Sequence, residues 1–235
     1  MSDRYLVISS DCHAGLPIRE YRDWLEPKYH AAFDEALPGE LELRQLERDT
    51  FLDKRFQREW ETGRVPEGIR GAWDSAERNR QLDEDGIAGE VIFPDGVTEM
   101  NAPPFGAGFT LPCQGVDPEL QWAGARAHNR WVAEVCALEP DRRAGLAIAP
   151  ILWDIDLAVR EIEWAATNGL RGIVIPAVFE GHPPYHDPRY EPIWARCAEA
   201  GLVIHTHGGA AVSYTHLTLP TINGEWGCRG GGGGG

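Results

Sequence analysis

Short apolar runs recur along this chain, each closed by polar or helix-breaking residues. RYLVISSD (4–11), GEVIFPDG (89–96), AGLAIAPIL (144–152), GIVIPAVF (172–179) and LVIHTH (202–207) have the length and β-branched content of strands. Between the later runs lie segments with helical spacing: ELQWAGARAHNRWVAEVCAL (119–138), DIDLAVREIEWAATNG (154–169) and HDPRYEPIWARCAEAG (186–201). In the first, Trp122, Ala125, Trp131, Val132 and Val135 fall near one face. The second opens on Asp154, whose carboxylate can cap free amides, and stops at Gly169. Strand ends near 150, 177 and 207 are about one βα unit apart. The runs are nearly continuous rather than alternating, which predicts parallel strands covered on both faces.

Residues 18–85 are densely charged with helical spacing, and Pro27, Pro38-Gly39 and Pro66 divide them into several predicted helices. They read as a solvated helical insertion after the first strand. A Pro- and Gly-rich loop spans 101–118; loops this long inside compact domains usually serve function or lack order. The expected fold class is therefore α/β with a parallel sheet, doubly wound or closed as a barrel. No GxGxxG follows the first strand, which removes the usual dinucleotide signature.

The chain has 235 residues, 43% apolar and 25% charged, ordinary values for a globular protein. Its formal charge of -15 argues against a non-specific nucleic-acid or anionic-membrane partner. No apolar run is long enough to span a bilayer, and MSDRYLVISSD lacks the pattern of a signal peptide, so a cytoplasmic location is expected. Five cysteines at long spacings, without CxxC, fit reduced thiols. Self-association is left open.

Two polar clusters close apolar runs where a buried strand has no evident use for them: Asp11-Cys12-His13 and His205-Thr206-His207. Side chains two apart on a strand share a face. In a parallel barrel the inner residues at the strand C-termini converge on one mouth, so Asp11, His13 and His207 can meet there. A carboxylate with imidazoles suits zinc or another divalent transition metal. Each residue also fits a structural role, as a turn or strand-end polar group. Cys12 should face away from Asp11 and His13. His205 reads as a supporting neighbour, and His186, Asp95, Arg78 and Arg80 as residues that could contact substrate. His128 beside Trp131 reads as structural, and His30 as solvent-facing.

SSDCHAGLP, REYRDWLEPKY, AHNRWVAEVCALEPDRRAGLAIAP, PYHDPRYEPIW and GLVIHTHGGAA, in that order, resemble the amidohydrolase-related superfamily. Within it they are similar to the branch of aminocarboxymuconate semialdehyde decarboxylase and the resorcylate decarboxylases. The resemblance covers residues 4 to about 211. It implies a partial (β/α)₈ TIM barrel of about five strands, with a helical insertion after strand 1. It also implies a divalent metal, with zinc the expected ion. The family's strand-1 pair falls on Asp11 and His13, with Asp11 replacing a histidine or glutamate, and its strand-5 histidine falls on His207. The implied activity is hydrolysis of a small organic substrate, with non-oxidative decarboxylation as the alternative. The family's later histidine and metal-binding aspartate have no counterpart in these 235 residues, so the expected acid–base groups lie outside them. These activities are implied for the parent protein; for the 235 residues by themselves a catalytically inactive barrel fragment is the expectation.

From about residue 212 the sequence changes character. VSYTHLTLPTINGEWGCRGGGGGG has no apolar period, resembles a translated sequencing adapter and ends in a glycine run. The expected organisation is barrel sequence over 1–211 and a non-native or disordered tail over 212–235, in which His216 and Cys228 carry no function.

Overall fold

The computed structural model describes residues 5–51, 70–94, 101–108, 116–177 and 181–207. Asp95, loop residues 109–115 and the whole of 212–235, with His216 and Cys228, lie outside the described residues. Five strands form where the apolar runs predict them: β1 (Val7–Ala14), β2 (Ile87–Pro94), β3 (Arg143–Ile148), β4 (Gly172–Pro176) and β5 (Val203–His207). Every neighbouring pair is parallel, in the order β1-β2-β3-β4-β5. The α-helices among the described residues are α1 (His30–Phe51), α2 (Ser75–Glu84), α3 (Pro118–Ala137), α4 (Ile155–Thr167) and α5 (Glu191–Ala200). None is long and apolar enough to cross a membrane.

Local chemistry sets the helix ends. The carboxylates of Asp74, Asp117 and Asp154 accept first-turn amides of α2, α3 and α4. α5 stops at Gly201, whose φ of 68° suits glycine. The predicted break at Pro38-Gly39 does not occur: α1 runs through both residues. Tertiary contacts on either side of the proline hold the helix. Phe33 is buried before it. After it, the Glu40 carboxylate accepts the amide of Phe105 at 2.6 Å, and Arg44 donates to Glu40 and to the Pro103 carbonyl. These bonds also tie the long loop down at Phe105, which sits at a φ of 61°.

Alternation along the strands separates two faces. Ile92, Ala147, Ile173 and Ile175 join the main core with Val132 of α3, Ile162 of α4 and Ile193 of α5. Val91, Phe93, Leu146, Ile148 and Val174 line the opposite face. The sheet splays between β2 and β3, whose pairing ends at Ile92 and Gly145. The side chain of Asn129 fills the opening. Its amide donates to the Ile148 carbonyl and to Glu161, and its carbonyl accepts the Ile148 amide, all at 2.8–2.9 Å.

The sheet is strongly curled. In a flat parallel sheet β1 and β5 would stand roughly 19 Å apart, four strand spacings. Here a side chain of β1 hydrogen-bonds one of β5, so the five strands form a half-barrel with the second face on its concave side. Among the described residues no strand pairs with the outer edge of β1 or of β5. Val7, Ile8, Val203 and Ile204 are exposed there.

Candidate metal centre

β1 departs from regular pairing where its polar residues begin. Ser9 pairs with Glu90 and Cys12 with Ile92, so β1 carries an extra residue over that interval. Regular alternation would put Ser9 and Cys12 on opposite faces. The bulge puts them on one, where the Cys12 thiol donates to the Ser9 hydroxyl at 3.1 Å. Asp11 and His13 take the other face. Pairing then resumes through Cys12 with Ile92 and His13 with Phe93, so β1 continues past the apolar run as far as Ala14.

On the concave face two imidazoles address one carboxylate oxygen. His207 Nε2 donates to Asp11 Oδ1 at 3.1 Å, across 196 residues of sequence. His13 Nε2 lies 3.4 Å from the same oxygen. The two rings meet edge to face, with centroids 4.9 Å apart. One ligand atom from each of Asp11, His13 and His207 lies within 4.8 Å of the others. Donors about 2.1 Å from a tetrahedral zinc-like cation stand roughly 3.4 Å from each other. The nitrogen–oxygen spacings are of that size, and a carboxylate with two imidazoles is a chemically sound donor set. The residues present fit a divalent metal. Asp11 is 63% exposed at its side chain, whereas the two imidazoles are about one-fifth exposed, so the group opens to solvent on the carboxylate side.

Burial holds the His13 pKa below the usual histidine range. The neighbouring His207 adds to that shift, and Asp11 opposes it in part. A neutral imidazole offers the lone pair that a metal needs. His205 is also shifted down by burial.

Phe93, at the end of β2, is the residue that the sequence reading missed. Its ring lies 5.9 Å from His13, 5.6 Å from His205 and 5.0 Å from His207, centroid to centroid, and it is buried. It forms an apolar wall against which all three imidazoles pack. The period-two relation of Val91 and Phe93 within GEVIFPDG carries that signal, though nothing there names the partners.

The remaining candidates divide. His205 stands across Phe93 and outside the three-residue group. His186 is exposed in the turn before α5, and Asp95 lies outside the described residues. Arg78 is not directed at the concave face: it chelates Glu90 on the helix side of the sheet. Arg80 pairs with Glu77 and Glu84 at the surface of α2. Cys12 faces away from Asp11 and His13, as expected. His30 is half-buried rather than solvent-facing, because its ring nitrogen bonds the Leu25 carbonyl.

The sequence profile of the amidohydrolase family matches residues 72–226. No curated protein matches the sequence. Among solved structures, an amidohydrolase from Mycobacterium avium subsp. paratuberculosis is similar with a TM-score of 0.58 and 18% identity, over 92% of this chain and 62% of that one. A 5-carboxyvanillate decarboxylase from Novosphingobium aromaticivorans with bound manganese gives 0.54 and 20%, over 88% and 51%. A 2,6-dihydroxybenzoate decarboxylase from Rhizobium gives 0.54 and 19%, over 88% and 50%. The chain spans about half to three-fifths of the length of these structures, and at such identities the likeness is one of fold.

Proposed function

The chain belongs to the amidohydrolase family, and on that premise we propose that it forms part of a divalent-metal enzyme acting on a small organic substrate. Asp11, His13 and His207 would hold the metal. The observation that carries this reading is the convergence of their three ligand atoms within 4.8 Å, from strands at opposite ends of the sheet. A bound divalent cation would lower the pKa of its water toward 7 and polarise a carbonyl or carboxylate oxygen. The chain's own residues prepare that chemistry. Burial shifts His13 toward its neutral form, Phe93 excludes water from behind the rings, and Asp11 presents a carboxylate at the open side of the group.

Hydrolysis is the first reading, in keeping with the family. Decarboxylation is the second, supported by structural neighbours named as decarboxylases of carboxylated phenols. Zinc suits the donor set, and a manganese-bound neighbour makes manganese the rival ion. The free thiols of Cys12, Cys136 and Cys197 support a cytoplasmic setting.

Metal titration tests the core of the proposal. Zn²⁺ or Mn²⁺ should bind the protein stoichiometrically, and a His13→Ala/His207→Ala double variant should lose that binding. Equal binding by both proteins would overturn the assignment. Loaded protein offered 2,6-dihydroxybenzoate and a panel of simple amides and esters separates the two chemistries, since the first yields CO₂ and the second an acid.

A further inference from the structure

We propose that Arg78 is a positioning residue for the metal centre: its guanidinium, anchored on Glu90, fixes the backbone of His13 and so the aim of the β1 ligands. The inference rests on the metal-centre reading above but concerns a residue outside the ligand group. Among the described residues β1 is held by sheet pairing along one edge only, and Asp11 falls in the unpaired interval of that edge. Its outer edge has no strand partner among the described residues. On its inner edge the bulge between Ser9 and Cys12 takes Asp11 out of the ladder, which resumes at Cys12, one residue before His13. A ligand pair on such a strand needs a second attachment to hold a fixed direction.

Arg78 supplies one. It projects from α2, with Nε donating to Glu90 Oε1 at 2.7 Å and Nη2 to Glu90 Oε2 at 2.6 Å. This two-pronged pairing fixes the plane of the guanidinium. The Glu90 side chain is fully buried and that of Arg78 is 10% exposed, so the pair is shielded from screening by solvent. From that fixed plane, Nη1 donates to the His13 carbonyl at 3.1 Å and to the Gly71 carbonyl at 3.0 Å. The adjoining amide of Gly15 bonds the Ala72 carbonyl at 3.2 Å. The end of β1 is thereby stapled to residues 71–72, on the side of the sheet opposite the concave mouth. Arg78 touches neither imidazole; it acts through the peptide unit of His13. A lysine here would keep the charge but could not make the planar pairing and the two carbonyl bonds together.

Arg78→Lys tests the proposal, with Glu90→Gln as an isosteric second variant should the first fail to fold. Two readouts are taken on protein shown to be folded by circular dichroism. In metal-free protein, the ring ¹H–¹⁵N signals of His13 should shift or double, while those of buried, distant His128 stay in place. In the metal titration, Mn²⁺ affinity should fall about ten- to a hundred-fold, with a changed visible spectrum for the Co²⁺-loaded form. A folded variant with unchanged His13 signals and Mn²⁺ affinity within twofold of the parent would overturn the proposal, leaving Arg78 a structural ion pair. If the parent protein binds no metal, the metal-centre reading fails by itself, and the metal-free ring signals still decide whether Arg78 positions His13.

Discussion

At the scale of single residues, His128 shows how burial turns a side chain into a pH sensor of stability. Its Nδ1 lies 2.9 Å from the Tyr21 hydroxyl, which also receives the Leu16 amide and faces the Asn101 carbonyl. One hydroxyl proton cannot serve both Nδ1 and the Asn101 oxygen. The three contacts of the Tyr21 hydroxyl are compatible when Nδ1 carries the proton and donates to Tyr21, which in turn donates to Asn101; the buried Nε2 has no partner among the described residues. Full burial pushes the His128 pKa down to about 3 from an ordinary 6.5. The unfolded chain therefore takes up a proton at a pH where the folded one does not. Stability is complete above about pH 6.5 and is lost as the pH falls toward 3, with a slope from this group approaching about 1.4 kcal/mol per pH unit. Urea unfolding between pH 6.5 and 5 should show that slope, and His128→Gln should flatten it by one proton's worth whatever its total stability. An unaltered slope in the variant would mean that His128 is solvated in the native state.

At the scale of elements, the joint between β2 and β3 is where the half-barrel depends on one side chain. Asn129 bonds both backbone groups of Ile148 just beyond the β2–β3 ladder. Removing it strands a buried amide and a buried carbonyl, each worth about 1–3 kcal/mol unsatisfied. Asn129→Ala should therefore cost roughly 3 kcal/mol, seen as a lower urea midpoint with an unchanged m-value. The helices and strands themselves were legible as a pattern, since caps and apolar periods act between near neighbours. The passage of α1 through Pro38 was not, because the contacts that hold it come from Phe105 and Pro103, far along the chain.

At the scale of the whole molecule, the half-barrel has two apolar strand edges with no strand partner among the described residues. Ile8 is 59% exposed on β1, and Ile204 is 38% exposed on β5. Unpaired strand edges carrying apolar side chains favour edge-to-edge association. The 235-residue chain should self-associate with increasing concentration in sedimentation velocity, and an Ile8→Lys/Ile204→Lys variant should shift that association to higher concentration. Monomeric sedimentation of the parent across the accessible range would show that these edges are covered.

The sequence by itself determined the five strands, their parallel arrangement and the face shared by Asp11 and His13, because alternation and apolar continuity are properties of residues one to four apart. It also marked Asp11, His13 and His207 as a potential donor set. Tertiary structure decided that they meet: the curl of the sheet brings β1 to β5, and the bulge between Ser9 and Cys12 turns the ligands inward. Phe93 and Arg78 owe their roles to partners brought near by that curl or by packing of α2, and a linear pattern carries no record of distances set by the sum of many strand-to-strand rotations.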